Sequence, residues 1–86
     1  MSNFAMQNSR KYAQRFGEKL RTLRRRRGLT LKELARECGF TSHSYISAIE
    51  FGKKQPSIEL VVKIAKLFNV TTDQLLLDEM EIDDAS

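Results

Sequence analysis

Signals that end and begin helices recur along this chain and divide it into short segments. Three glycines follow apolar or basic runs where a left-handed residue would end a helix, at Gly28, Gly39 and Gly52. Residues whose side-chain oxygens can cap a new helix come soon after, at Thr30, Ser42, Ser57 and Thr71. No segment shows the alternation of apolar and polar residues that is typical of strands. The pattern predicts an all-α chain of five short helices.

The apolar residues within each segment have helical spacing. The first helix is predicted to begin near Lys11 and to end in the basic run 24–27. Two pairs form capping boxes, Thr30 with Glu33 and Thr71 with Gln74. The inward-facing residues predicted for the five helices are Ala13, Phe16, Leu20, Leu23, Leu31, Leu34, Ala35, Cys38, Ile46, Ile49, Leu60, Val61, Ile64, Ala65, Phe68 and Leu75–Leu77. Asn69 is the predicted stop of the fourth helix. One domain over 11–78 is expected, with a flexible arm at 1–10 and an acidic tail at 79–86.

Charge is distributed unevenly along the chain. The formal net charge is +4 and the isoelectric point is about 9.5. All 15 Lys and Arg lie in residues 1–77, whereas residues 78–86 contain only acidic charges. A basic body indicates an anionic partner, most commonly nucleic acid. The acidic tail either competes with phosphates for the basic face or extends into solvent, and its composition favours the second.

Several classes of protein are disfavoured by what the sequence lacks. A single cysteine, Cys38, excludes an intramolecular disulfide and a cysteine-rich metal site. No apolar run has the length of a membrane span, and no signal peptide is evident, so a cytoplasmic, nucleoid-associated protein is expected. There is no nucleophile–base pair and no glycine-rich phosphate loop. We therefore predict no enzyme activity, no catalytic residue, no cofactor and no metal.

Residues 28–76 contain a series of motifs in a characteristic order. A capped helix that contains Leu-Ala is followed by a glycine turn, the helix Tyr-Ile-Ser-Ala-Ile-Glu, the loop Gly-Lys-Lys-Gln-Pro-Ser and a final Thr-Thr-Asp-Gln-Leu-Leu. In this order they resemble the phage-repressor/Cro-type (XRE-like) helix-turn-helix family. The resemblance implies a five-helix lambda-repressor-like bundle whose second and third helices form the motif. It also implies that the third helix enters the major groove of DNA, with its N-terminal residues at base edges.

The resemblance assigns DNA contacts to particular residues. The residues that it places at base edges are His43, Ser44, Ser47 and Ala48. Ser42 matches the helix cap, and the residues matched to the phosphate backbone are Tyr45, Lys53 and Lys54. Independently of the resemblance, the charge of the basic run 24–27 predicts one or two further phosphate contacts, with Arg24 as the candidate. For Tyr45 two interpretations stay open, because its hydroxyl can reach a phosphate or its ring can pack on the bundle. Glu50 is expected to bond to the first helix, to an arginine, rather than to read bases.

The chain departs from the family pattern at three places. The distance from Gly39 to Glu50 is one residue longer than usual, which predicts an enlarged turn at Phe40-Thr41. Leu31 replaces a frequent glutamine that contacts phosphate, and Phe51 replaces a frequent asparagine. The turn affects the orientation expected for the third helix, and the two substitutions reduce the number of expected phosphate contacts.

The leading functional hypothesis is a sequence-specific transcription regulator that binds double-stranded DNA at a pseudo-palindromic operator as a homodimer. Leu77, Met80 and Ile82 extend apolar character into the acidic tail and are candidates for the dimer interface. An alternative is a protein-interaction adaptor or antitoxin-like module with a protein partner on the tail. A third hypothesis is non-specific nucleoid or RNA binding, but few aromatic residues are placed for stacking on single-stranded bases.

Overall fold

A computed structural model describes residues 13–82 of the chain. The described residues form five α-helices, which are α1 (Phe16–Arg26), α2 (Leu31–Glu37), α3 (His43–Glu50), α4 (Ile58–Phe68) and α5 (Thr72–Leu76). No strand occurs between residues 13 and 82. The prediction of an all-α fold with five helices is confirmed.

A single hydrophobic core receives residues from all five helices. Fully buried core side chains, one or two from each helix, are Leu20, Leu34, Ile46, Leu60, Ile64 and Leu75. Cys38 is also buried, with 3% of its surface exposed, as its apolar position predicted. Each fully buried aliphatic side chain contributes about 1.5–3 kcal/mol relative to an exposed one. The stability of these short helices therefore comes from packing on one another rather than from each helix alone.

The predicted helix ends are present in the structure. The hydroxyl of Thr30 accepts a hydrogen bond from the Glu33 backbone N–H at 3.0 Å, and the Glu33 carboxylate accepts one from the Thr30 N–H at 2.8 Å. Thr71 and Gln74 form the same reciprocal pair at the start of α5. Asn69 ends α4 in the left-handed conformation, with φ of 57°. The helix boundaries are therefore determined largely by local side-chain hydrogen bonds.

The start of α1 differs from the prediction. The helix begins at Phe16, because the chain before it forms a turn in which Ala13 has φ of 63°. The Ala13 N–H donates to the carbonyl of Leu76 at 2.8 Å, and the Arg15 N–H donates to the Asp78 carboxylate at 2.9 Å. These bonds to the end of α5 replace the helical bonds that an earlier start would have formed. The predicted arm at 1–10 lies outside the described residues.

The first residues of the acidic tail pack on α1, in contrast to the expected extension into solvent. Lys19, which is 1% exposed, donates from Nζ to the carbonyls of Gln74, Leu77 and Met80 at 2.6, 2.9 and 2.7 Å. Burial lowers the pKa of Lys19. Arg15 forms an ion pair with Glu81 at 2.9 Å, and this bond lowers the pKa of the Glu81 carboxyl. The packed domain therefore extends to residue 82, where Ile82 contacts the core.

Helices α1 and α3 approach each other closely at Gly17. A Cβ atom at this position would lie 2.7 Å from the carbonyl oxygen of Glu50 and nearer still to that of Ile49. Any larger residue would push the two helices apart. The C-terminal end of α3 is therefore held directly against the backbone of α1.

Candidate nucleic-acid interface

Helix α3 has one buried face and one polar exposed face. Ile46 and Ile49 are buried as predicted, at 0% and 2% exposure. The predicted residues at the start of the helix, Ser42, His43 and Ser44, are exposed, and Ser47 and Ala48 further along are half-buried. Spacings of three and four residues place Ser47 on the same side as His43 and Ser44. Short polar side chains of this kind allow the backbone of a helix to approach base edges closely.

The N-terminus of α3 is capped as predicted. The Ser42 hydroxyl accepts a hydrogen bond from the Ser44 N–H at 3.1 Å. No acidic residue lies in the first turn of the helix. The positive end of the helix dipole is therefore not offset by a carboxylate in that turn, an arrangement that suits an anionic partner.

Arg24, which was predicted to contact phosphate, is bonded within the protein. Its Nε and Nη2 atoms donate to the two carboxylate oxygens of Glu50 at 2.7 and 3.0 Å, and its Nη1 atom donates to the carbonyl of Leu29 at 2.9 Å. The bond to Glu50 raises the pKa of Arg24. The predicted bond between Glu50 and an arginine of the first helix is confirmed. Arg24 therefore holds α3 against α1 with its three side-chain nitrogens bonded within the protein, and a contact between this side chain and phosphate stays a prediction.

Tyr45 packs on the bundle, which is the second of its two predicted arrangements. Its ring centroid lies 5.3 Å from that of Phe40. Its hydroxyl oxygen accepts a hydrogen bond from the backbone N–H of Ser57, the cap of α4, at 3.3 Å. The side chain therefore connects α3 to the beginning of α4.

Lys53 and Lys54 are exposed in the loop that follows α3. Both backbone N–H groups donate to the carbonyl of Ala48, at 2.8 and 3.3 Å. The loop is thus folded back on the end of α3, and the N–H groups of both lysines are already bonded. Any contact of these two residues with phosphate must therefore come from their ammonium groups.

Two residues near the exposed face of α3 were not among the predicted contacts. Phe51 is 68% exposed, and the guanidinium carbon of Arg21 lies 5.6 Å from the centre of its ring. Arg21 also donates to the carbonyl of Glu50 at 3.0 Å. The spacing of Ser44, Ser47 and Phe51 at i, i+3 and i+7 could have identified Phe51 as a continuation of the exposed face.

The turn between α2 and α3, in which the spacing predicts an enlargement at Phe40-Thr41, runs over residues 38–42. Gly39 has φ of 79°, and the Phe40 N–H donates to the carbonyl of Ala35 at 2.8 Å. Lys63 of α4 donates from Nζ to the carbonyl of Cys38 at 2.8 Å. The same ammonium group lies 5.1 Å from the centre of the Phe40 ring. The turn is therefore in contact with a helix outside the motif.

The described residues lack the features of a membrane span and of a metal site. Within residues 13–82, no helix combines the length and the apolar character that crossing a membrane requires. The same residues contain no cluster of three or more His, Cys, Asp or Glu side chains arranged to bind a metal. Burial raises the pKa of the Cys38 thiol, which disfavours the reactive thiolate form.

Comparisons with known proteins agree with this geometry. Residues 20–75 match the model of a family described as helix-turn-helix. The chain is 42% identical over 64 residues to the HTH-type transcriptional activator BcrR of Enterococcus faecalis, covering 74% of this chain and 31% of BcrR. It is 37% identical over 70 residues to the cryptic phage CTXphi transcriptional repressor RstR of Vibrio cholerae, covering 80% of this chain and 62% of RstR. The chain thus spans about a third of one relative and less than two thirds of the other.

A solved structure extends the comparison to the fold. The N-terminal DNA binding domain of SinR from Bacillus subtilis superposes with a TM-score of 0.65 at 31% identity, covering 71% of this chain and 88% of that domain. Residues 20–75, which the family model matches, contain α2, α3 and the loop with Lys53 and Lys54. The chain therefore belongs to the helix-turn-helix family of the phage-repressor/Cro type.

Proposed function

We propose that this protein is a transcription regulator that binds a specific sequence in double-stranded DNA, with α3 in the major groove. The observation that carries the proposal is the two-sided character of α3. One face is held on the core by Ile46 and Ile49, while the face with His43 and Ser44 is exposed. A helix anchored in this way can enter a groove about 12 Å wide without rearrangement of the bundle.

The side chains on and after α3 are proposed to fall into two groups, those that contact bases and those that contact phosphates. His43, Ser44, Ser47 and Ala48 are proposed to meet base edges, where histidine and serine form hydrogen bonds and alanine can contact a thymine methyl group. Lys53 and Lys54 are proposed to bind the phosphates that flank the groove. Phosphate contacts supply affinity for any sequence, and base contacts supply the preference among sequences.

A homodimer is the proposed binding form. A single short helix contacts too few base pairs for adequate specificity, and two-fold pairing of identical subunits matches a pseudo-palindromic site. Leu77 lies directly after α5 and Met80 lies in the packed part of the tail. Both are half-buried, and they are the proposed apolar contacts between the two subunits. Leu77→Asp should lower both the sedimentation mass and the DNA affinity, whereas Glu79→Gln on the exposed side of the tail should change neither. An unchanged mass in Leu77→Asp would contradict this interface.

Selection of duplex DNA from a random pool, at near-physiological salt, tests the main proposal. The expected result is enrichment of an inverted repeat with a fixed spacing between its halves. Enrichment of a single half-site would support sequence recognition by one subunit and would contradict binding as a dimer. Binding of all sequences alike, and only at low salt, would contradict sequence-specific regulation.

Salt dependence separates this function from the alternative, an adaptor or antitoxin-like module that binds a protein through its tail. If the protein makes four to six phosphate contacts, a plot of the logarithm of its DNA affinity against the logarithm of the salt concentration should have a slope of about −4 to −5. For an adaptor that binds an apolar surface of a partner protein, the affinity for that partner would hardly depend on salt. Such an adaptor would also enrich no DNA sequence in the selection. A steep slope together with a selected repeat would favour the DNA-binding regulator.

A further inference from the structure

The turn between α2 and α3 is in contact with α4, a helix that lies outside the helix-turn-helix motif. The contacts are formed by Phe40 in the turn, Tyr45 on α3 and Lys63 on α4, which are referred to below as the turn clamp. All three side chains are half-buried. The bonds and ring contacts of each side chain show how it can affect the position of α3.

Lys63 caps the C-terminal end of α2. The carbonyl of Cys38, one residue beyond the helix, accepts from the Lys63 ammonium at 2.8 Å. A cation at this position also interacts favourably with the negative end of the α2 dipole. Glu59 is one turn earlier on α4 and lies 3.0 Å from the same ammonium, which helps to orient it.

The ring of Phe40 links Lys63 to α3. It lies 5.1 Å from the ammonium of Lys63 and 5.3 Å from the centre of the Tyr45 ring. A cation close to an aromatic ring is attracted to it, and a tilted aromatic pair is a favourable arrangement. Tyr45 then accepts from the N–H of Ser57 at the beginning of α4. The contacts thus run from α4 through the turn to α3 and back to α4.

We propose that Lys63 is a positioning residue for DNA recognition, which sets the orientation of α3 through the turn clamp without contacting DNA itself. The turn between the two helices runs over residues 38–42 and includes Gly39 in a left-handed conformation, so the turn alone would allow the beginning of α3 more than one orientation. The ammonium group removes this freedom because it bonds to the carbonyl of Cys38 at the start of the turn and contacts the Phe40 ring within it. This inference rests on the proposed DNA-binding function.

The test compares Lys63→Met with Lys66→Met in the full chain. Both variants remove one positive charge from α4, but Lys66 is exposed and lies outside the clamp. Affinity is measured for the selected duplex and for a scrambled duplex over a range of salt concentrations. Lys63→Met should lower the ratio of the two affinities by roughly tenfold, the scale of one hydrogen bond to a charged group. Lys66→Met should leave this ratio unchanged.

Two further readouts separate positioning from direct phosphate binding and from simple unfolding. If Lys63 bound a phosphate, its loss would make the salt slope shallower by about 1, whereas positioning predicts the same slope as in Lys66→Met. In the free protein, amide exchange of residues 39–45 should accelerate in Lys63→Met while exchange in α1 stays slow. Phe40→Leu, which keeps an apolar side chain but removes the ring, should show the same pattern at smaller amplitude.

The proposal would be overturned by an unchanged affinity ratio in Lys63→Met, by a shallower salt slope, or by unaltered exchange of residues 39–45. If the wild-type protein selects no DNA sequence at all, the proposed function itself fails. In that case the exchange experiment still decides whether Lys63 orders the turn. The two failures are therefore distinguishable.

Discussion

Arg24 and Glu50 form a bidentate ion pair that joins α1 to the end of α3, with Nε–Oε2 and Nη2–Oε1 distances of 2.7 and 3.0 Å. The Glu50 side chain is 3% exposed and that of Arg24 is 13% exposed. Arg21 lies farther away, with its Nε atom 3.7 Å from the same carboxylate. Because Glu50 is the last residue of α3, this pair holds the C-terminal end of the helix against α1. The exposed face of α3 depends on an interaction that is itself buried.

The first prediction concerns the loss of this pair. Arg24→Met leaves the buried Glu50 carboxylate with one weaker partner, and breaking a buried ion pair typically costs about 3–5 kcal/mol. We expect a value near the lower end, about 3 kcal/mol, because Arg21 remains close enough to compensate partly. Arg25→Met, at an exposed neighbouring position, should change stability by less than about 0.5 kcal/mol. Urea denaturation of both variants measures the difference, and equal stabilities would contradict the structural role of Arg24.

The contrast between Arg24 and Glu33 illustrates what the sequence could predict. The capping box of Thr30 and Glu33 was predicted because both partners lie within one helical turn. The bond from Glu50 to an arginine of the first helix was also predicted, but the particular arginine was not, because consecutive arginines point to all sides of a helix. Only packing showed that Arg24, rather than Arg25, faces Glu50.

The docking of the tail was missed for a related reason. Lys19 lies on a helix rich in basic residues, and its three carbonyl acceptors are more than fifty residues away in the chain. The sequence pattern indicated an exposed acidic tail, and nothing in it singled out Lys19. A buried lysine can be identified only when the end of α5 and the residues after it are known to lie above its ammonium group.

The second prediction follows from this buried lysine. Lys19→Met keeps the length of the side chain but leaves the carbonyls of Gln74, Leu77 and Met80 without their donor. The expected loss of stability is about 3 kcal/mol, since hydrogen bonds to a charged group are worth about 1.5–3 kcal/mol and the acceptors stay partly buried. Amide exchange of residues 77–82 should also accelerate. Lys32→Met, at an exposed position on α2, is the matched control, and similar stabilities of the two variants would refute the assignment.

The third prediction is a dependence on pH that arises from the capping box of α2. Hydrogen bonds from the backbone N–H and the hydroxyl of Thr30 lower the pKa of Glu33 below its ordinary value of 4.5. The unfolded chain therefore binds the proton at a higher pH than the folded chain does. Hence the stabilisation is present above about pH 4.5 and is lost as the pH falls through the folded-state pKa.

Glu33→Gln isolates this contribution, because glutamine can form the same reciprocal bond without titrating. The free energy of unfolding of the wild type should fall more steeply than that of the variant as the pH is lowered from 5 to 3. At neutral pH the variant should be slightly less stable, because it lacks a negative charge in the first turn of α2. Urea denaturation across this pH range measures both effects. Parallel pH profiles would contradict the lowered pKa.

The last prediction separates the residues proposed to read bases from those proposed to bind phosphates. Lys53→Ala combined with Lys54→Ala should weaken binding to every duplex by a similar factor, because ammonium groups in an exposed loop contact the backbone rather than base edges. The slope of log affinity against log salt should become shallower by about 2, close to one unit for each lost phosphate contact. His43→Ala should leave the slope nearly unchanged and alter which sequences are selected, since this side chain lies at the exposed start of α3. Repeating the random-pool selection and the salt titration with both variants tests this division. If the two variants changed sequence preference and salt dependence in the same way, the assignment of base contacts to α3 and of phosphate contacts to the loop after it would be wrong.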